Sequence, residues 1–298
     1  NEVTKQSLES NSYTLSVTLP RDWMTDSSRA YPVILDPTVT HNTKTAFTLG
    51  TLNRVKDEGT ADATPLLTTT YHELAADINT VGLWHMNEGT GTSVADSSGN
   101  SNTGTATGTT VVAGKLGNGR SFNGSEVISM GDVLDMGTGS FTIEAWVKPN
   151  NTSSYRTIVS KAAGNPGAQL RYYMRVEANN TFHTSIADGV NEANITGVKT
   201  NLADGDWHHV AMVVDKAGKT MISYVDGYQD SSTSIASVGS LDNAYPLRIG
   251  SLDTPGNAQA YSFNGIIDEV RISNIARTPE EIKQDAQRLP YSVYTSSV

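Results

Sequence analysis

The residues best able to do chemistry in this chain are acids and amides placed where a cation could collect them. In Gly265-Ile266-Ile267-Asp268-Glu269-Val270-Arg271-Ile272, the two-residue period of a strand puts Ile266, Asp268, Val270 and Ile272 on one face and Ile267, Glu269 and Arg271 on the other. A carboxylate in an apolar row is costly unless it is paired, and by that alternation Arg271 points the other way. Far upstream, Asp96-Ser97-Ser98-Gly99-Asn100-Ser101-Asn102 offers side-chain oxygens at Asp96, Asn100 and Asn102, with Gly99 permitting a sharp turn. Calcium takes about six to eight oxygens, so the expectation is a structural Ca2+ held by Asp96, Asn100, Asn102 and Asp268 with a few carbonyls. The alternative for the same loop is an Asx-turn rich in small residues.

A second candidate is Trp146. On Phe141–Lys148 the apolar set Phe141, Ile143, Ala145 and Val147 leaves Trp146 with Thr142, Glu144 and Lys148. An aromatic among polar residues on an open sheet face stacks on sugar rings; a loop or strand lying over it would make it a packing residue instead. His208 and His209 fall on opposite faces of one strand, cannot share an ion, and read as packing and hydrogen-bonding residues. Glycoside hydrolysis needs two carboxylates flanking one bond, spaced i, i+2 or i, i+4 on a strand. Asp268 and Glu269 face opposite ways in the simple alternation, Glu144 is alone on its strand, and no Gly-x-Ser-x-Gly elbow occurs, so no catalytic residue is assigned. A hydrolase would have to rest on loop carboxylates such as Asp204 and Asp206.

Composition sets the frame for these residues. With 298 residues, 17% of them charged, and Thr, Ser, Asn and Gly interleaved with aliphatics, the chain favours one large β-domain plus a smaller part. A formal charge of −10 without clustered Lys or Arg argues against a nucleic-acid surface, and the absence of Cys excludes disulfides, thiolate zinc and thiol nucleophiles. No stretch has the length and apolarity of a membrane span. Because the chain opens on Asn1, it reads as a processed product or a piece of something longer.

The elements follow in order. Residues 1–53 form a β-rich N-terminal segment with strands expected at Tyr13–Leu19, Tyr31–Pro37 and Thr45–Leu49. Three strands bury too little surface to stand comfortably alone, so they should pad the main domain or complete a sheet in another chain. Tyr31–Val39 resembles a closing strand of β-modules in large bacterial surface proteins. Residues 54–78 read as a linker with one helical turn near Leu74-Ala75-Ala76, and from Val81 onward short strands and turn signals alternate at sandwich spacing. Asp226-Gly227 marks a tight hairpin. Thr278-Pro279-Glu280-Glu281 has the N-cap, the first-turn Pro and the third-position Glu of a helix start, and residues 290–298 form a C-terminal tail, another strand or loose.

Six motifs stand in order between residues 79 and 289: Val81-Gly82-Leu83-Trp84-His85-Met86-Asn87-Glu88-Gly89, Asp96-Ser97-Ser98-Gly99-Asn100, Arg120-Ser121-Phe122-Asn123-Gly124, Phe141-Thr142-Ile143-Glu144-Ala145-Trp146, Asp206-Trp207-His208-His209-Val210 and the Asp268 strand. Together they resemble the laminin-G-like, concanavalin A-like domains of secreted and surface proteins. The resemblance implies an all-β, two-sheet antiparallel jelly-roll sandwich over 79–289, core roles for Trp84 and Trp207, a structural calcium at the Asp96 loop, and sugar or protein ligands. The function this leads us to expect is a non-catalytic extracellular or cell-surface binding and adhesion module for carbohydrate or glycoprotein, stabilised by calcium, with no nucleic-acid partner. The alternative is a structural subunit of a surface fibre or sheath that self-associates through residues 1–53 by strand exchange.

Overall fold

A computed structural model describes Glu2–Leu8, Ser12–Thr18, Leu66–Thr70, residues 73–150, 154–162, 171–252, 261–287 and Tyr291–Thr295. The chain divides into two compact units, residues 1–72 with 288–298 and residues Glu73–Gln287. In the first unit Glu2–Leu8 (β1) pairs antiparallel with Ser12–Thr18 (β2), and Leu66–Thr70 (β3) pairs antiparallel with Tyr291–Thr295 (β20). The tail therefore contains a strand, and its partner comes from the stretch expected to be linker. The expected strands at Tyr31–Pro37 and Thr45–Leu49 lie outside the described residues.

The second unit is the sandwich. Its strands are Thr80–Trp84 (β4), Ser93–Val94 (β5), Gly104–Thr107 (β6), Thr110–Ala113 (β7), Asn118–Asn123 (β8), Val127–Gly131 (β9), Phe141–Pro149 (β10), Arg156–Ala162 (β11), Arg171–Val176 (β12), Phe182–Ala187 (β13), Glu192–Thr196 (β14), His208–Asp215 (β15), Thr220–Val225 (β16), Tyr228–Ser234 (β17), Leu247–Ile249 (β18) and Asn264–Ser273 (β19). One sheet runs β17-β16-β15-β10-β19-β8-β7, with β4 also on β19; the other runs β14-β13-β12-β11-β18-β9-β6-β5. Every pairing within them is antiparallel. The alternation of the sequence explains the layers: Phe141, Ile143, Ala145 and Val147 of β10 face Met174, Phe182 and Ile249 of the opposite sheet in one continuous core.

The sandwich unit begins earlier than the motifs alone indicate, because Leu74 is fully buried and its amide bonds into β19. Leu74-Ala75-Ala76 is not helical. Two local signals hold as expected. Asp226 and Gly227 both take positive φ, +52° and +81°, in the two-residue turn between β16 and β17. Pro279–Ala286 forms the helix (α1), with Thr278 and Glu281 closing a reciprocal capping box.

The strand carrying Asp268 breaks the simple alternation. On β10, Glu144 faces Arg271 and Trp146 faces Asp268, so Glu269 and Val270 together oppose Ala145 in a β-bulge. Glu269 sits at φ +50°, and the extra residue resets the pleat. Ile267, Val270 and Ile272 therefore enter the core, while Asp268 and Arg271 share the outer side with Trp146 and Glu144. Asp268 is not in the apolar row with Val270 and Ile272.

Candidate functional site

The bulge lies where β19 changes neighbours, from β8, which ends its pairing at Ile267, to β4, which begins at Val270. The two acids bind what flanks that handover. Asp268 Oδ2 accepts the amides of Lys115 (2.7 Å) and Leu116 (2.9 Å), and its Oδ1 accepts the amide of Glu269 (2.8 Å). Glu269 Oε2 accepts the amide of Leu74 at 2.7 Å. Burial and the adjacent Glu269 push the Asp268 carboxyl up to about 8 against the pull of those amides.

Asp96 belongs to a separate network. Its Oδ1 accepts the amides of Leu83 and Ser98, and its Oδ2 accepts the Ser98 hydroxyl and the Asn102 amide. The Asn102 and Asn100 side-chain amides donate to the Val81 and Thr80 carbonyls. Four donors use the lone pairs of the Asp96 carboxylate, so this loop is an Asx-turn that fastens itself to β4. The four residues expected to share a calcium ion stand in two separate networks: no described hydrogen bond joins Asp96, Asn100 or Asn102 to Asp268, whose oxygens accept backbone amides of Lys115, Leu116 and Glu269.

Trp146 is also corrected. It is 4% exposed, lies beneath the Lys115 ammonium at 4.3 Å, and meets the His209 ring edge-on at 5.3 Å, so it offers no platform to a ligand. His209 approaches Glu144 Oε2 at 3.3 Å. His208 takes the other direction, between Asp204 (3.1 Å) and Asp226 (3.0 Å). Asp204 also accepts the Asp206 amide, so it shapes its own turn. Glu144, Asp268 and Glu269 are each about 1% exposed or less, and a glycosidic oxygen has no route to them.

The outer face of the other sheet is different in kind. Register aligns Ser93, Thr105, Ser129, Arg248, Ser160, Tyr173, Ser185 and Asn194 as one transverse row, a residue from each of its eight strands. Their neighbours along the strands, Ala106, Ile128, Ile249, Val159, Met174, Ile186 and Ala193, belong to the core. Seven gaps of about 4.8 Å make the row about 34 Å long. Ser93, Thr105 and Asn194 are exposed and Ser129 and Arg248 half-buried, while Ser160, Tyr173 and Ser185 between Arg248 and Asn194 are buried, with the Ser160 hydroxyl donating to the Ser251 carbonyl and the Ser185 hydroxyl to Glu192.

Aromatic and cationic groups gather beside this row. Tyr155 and Tyr261, 37% and 38% exposed, stand 5.2 Å apart between ring centroids. The Arg175 guanidinium lies 4.3 Å over Tyr155 and 5.2 Å over Tyr173, and the Tyr173 ring stacks on His183 at 5.7 Å and 18°. Glu177 pairs with Arg175 at 2.8 Å and Glu192 with Arg171 at 2.6 Å. Burial, then Arg175 and Arg171, push His183 down to about 3, so it is a neutral ring that can donate and accept. Beneath the cluster, Arg156 reaches the carbonyls of Asn150 and Glu177 and the side chain of Asn180, and the Thr157 amide donates to the Tyr261 carbonyl at 2.9 Å. These bonds set Tyr261 against Tyr155.

Sequence reasoning passed over this face, although Arg171-Tyr172-Tyr173-Met174-Arg175 carries its signal. Alternate positions of one strand are cationic or aromatic while the others are core, a pattern that a solvent-facing strand of ordinary Thr and Ser would not show.

Fold and layering define an antiparallel jelly-roll sandwich with one polar, aromatic-bearing sheet face. The family model for the laminin G type of the concanavalin A-like lectin/glucanases superfamily matches residues 122–283, and the chain belongs to that family. No curated protein matches it. Among solved structures, the binding domain of Paraclostridial Mosquitocidal Protein 1 is similar at 18% identity and TM-score 0.54, covering 70% of this chain and 52% of that one. Domain 4 of AbnA, an extracellular arabinanase of Geobacillus stearothermophilus in complex with arabinotriose, gives 21% and 0.51, covering 70% and 98%. The Botulinum Neurotoxin serotype G binding domain gives 16% and 0.52, covering 70% and 50%. This chain spans about half the length of the two toxin domains. No helix among the described residues is long and apolar enough to cross a membrane.

Proposed function

We propose that residues Glu73–Gln287 form a non-catalytic glycan-binding module of an extracellular or cell-surface protein, with the ligand on the outer face of the β5–β14 sheet. The observation that carries this is the exposed Tyr155 and Tyr261 pair with the Arg175 guanidinium over it, set on a sheet face whose accessible residues are polar. Sugars present alternating hydroxyl edges and apolar C–H faces. The accessible members of the row, Ser129 and Arg248 among them, offer polar partners for the first, and the exposed tyrosines offer stacking faces for the second. The likeness to a domain solved with arabinotriose agrees with this reading at the level of fold.

A glycan array followed by calorimetry tests it. Tyr155→Ala and Tyr261→Ala should each weaken binding of the array hit about tenfold, the equivalent of about 1.4 kcal/mol, while the circular dichroism spectrum stays that of the parent. An array without hits, or a hit indifferent to both substitutions and to Arg175→Ala, would remove the assignment.

A further inference from the structure

On the far side of the sandwich, three groups outside the proposed glycan face converge. Glu73, His85 and Glu269 each direct one ligand-capable atom into a cluster whose members lie within 4.8 Å of one another. Their roles differ. Glu269 is buried, with Oε2 engaged by the Leu74 amide and Oε1 2.7 Å from His85 Nδ1. In the neutral tautomer whose Nδ1–H donates to that carboxylate, the lone pair of the imidazole lies on Nε2, the nitrogen that faces Glu73. Glu73 is 44% exposed and stands with Oε2 3.8 Å from Nε2. Its other oxygen is held by the Asn87 side-chain amide at 2.5 Å, and Asn87 is fixed in turn by accepting the Asn118 amide at 2.8 Å.

The 3.8 Å separation is too long for a hydrogen bond. It suits two ligands on one ion, since nitrogen and oxygen atoms each about 2.0–2.2 Å from a zinc ion stand roughly 3.3–3.9 Å apart. The buried carboxylate behind the imidazole is the arrangement that orients a metal-bound histidine and fixes its tautomer. A nitrogen donor beside a carboxylate favours a first-row divalent ion over calcium, which prefers oxygen alone.

We infer that His85 Nε2 and Glu73 Oε2 form a surface site for a zinc-class divalent cation, with water completing the coordination and Glu269 acting as the positioning residue. The site is independent of the glycan reading, and neither stands on the other.

Calorimetry and 1H–15N imidazole spectra of the chelator-washed full chain, titrated with ZnCl2 and in parallel with CaCl2, test the inference. Zinc should move the His85 Nε2 resonance and raise the melting temperature, and calcium should do neither. Glu73→Gln keeps an oxygen for the Asn87 amide and should leave the metal-free melting temperature in place while weakening zinc at least about tenfold; Glu269→Gln should weaken it about 10–100-fold. Zinc binding weaker than about 1 mM, a His85 Nε2 signal that zinc leaves in place, affinity indifferent to Glu73→Gln, or an equal response to calcium would each overturn the site. Because Glu73 lies at the surface, its variant keeps the test decisive even where His85→Gln fails to fold.

Discussion

Arg271 shows how one side chain can hold a buried corner together. Its guanidinium donates to Glu144 Oε1 from Nε (2.8 Å) and Nη2 (2.6 Å), pairs with Asp285 of α1, and reaches the Ala75 carbonyl at 3.4 Å. Burial alone would raise the Glu144 carboxyl, but Arg271 and His209 outweigh it and bring it down to about 2. A depressed carboxyl stabilises the fold above its unfolded value near 4.5, and the contribution is lost as pH falls toward 2. Arg271→Met should therefore cost about 3–5 kcal/mol at neutral pH, because it removes the guanidinium that two buried carboxylates share. Urea unfolding measures this, and adding Glu144→Gln to that variant should return part of the loss; a cost below about 1 kcal/mol would show that the ion pair is not what holds this corner. At this scale the sequence told part of the story. The sequence placed Asp268 in an apolar row from which the bulge removes it; the acid is buried all the same, and its partners were not legible, because backbone amides of Lys115 and Leu116 have no side-chain signature.

Turns and strand ends carry the titrating groups. At the start of β15, His208 lies between Asp204 and the turn residue Asp226, and these acids outweigh burial and raise the imidazole above its ordinary value. A raised histidine stabilises fully below its unfolded value of about 6.5, and the contribution fades as pH climbs through the folded one. Asp204→Asn should thus destabilise by about 1 kcal/mol near pH 6, and the gap from the parent should close at alkaline pH. Thermal melts across that range check the sign; a gap that widens with pH would mean that His208 is neutral in the fold. Most strands were legible because β10, β12, β15 and β16 alternate cleanly. The bulge at Asp268–Glu269 was not, since nothing in an Ile-Asp-Glu-Val string distinguishes one extra residue from strict alternation. That single step led to opposite faces for two acids that both serve the outer side.

The whole chain separates into a sandwich with its own core and a remainder whose described strands pair among themselves. A fragment covering residues 73–287 should therefore melt in one cooperative transition and bind the array hit with the affinity of the full chain. Two transitions, or lost affinity, would place part of the core or the site elsewhere. The family motifs located this unit well at its C-terminal end, where the capped helix stops at Ala286. They missed the front edge, because Leu74 is one apolar residue in a Thr-rich stretch and its burial depends on Glu269, 195 positions away.

Three neighbours, β10, β8 and β4, all need β19, which starts only at Asn264. A nascent chain emerging from a ribosome would carry an unfilled slot in the first sheet until nearly all of the sandwich unit had been made. Contacts so distant in sequence close late and slowly. Stalling or truncation before residue 264 would consequently leave β4, β8 and β10 without their common neighbour, as apolar edges open to association with other chains.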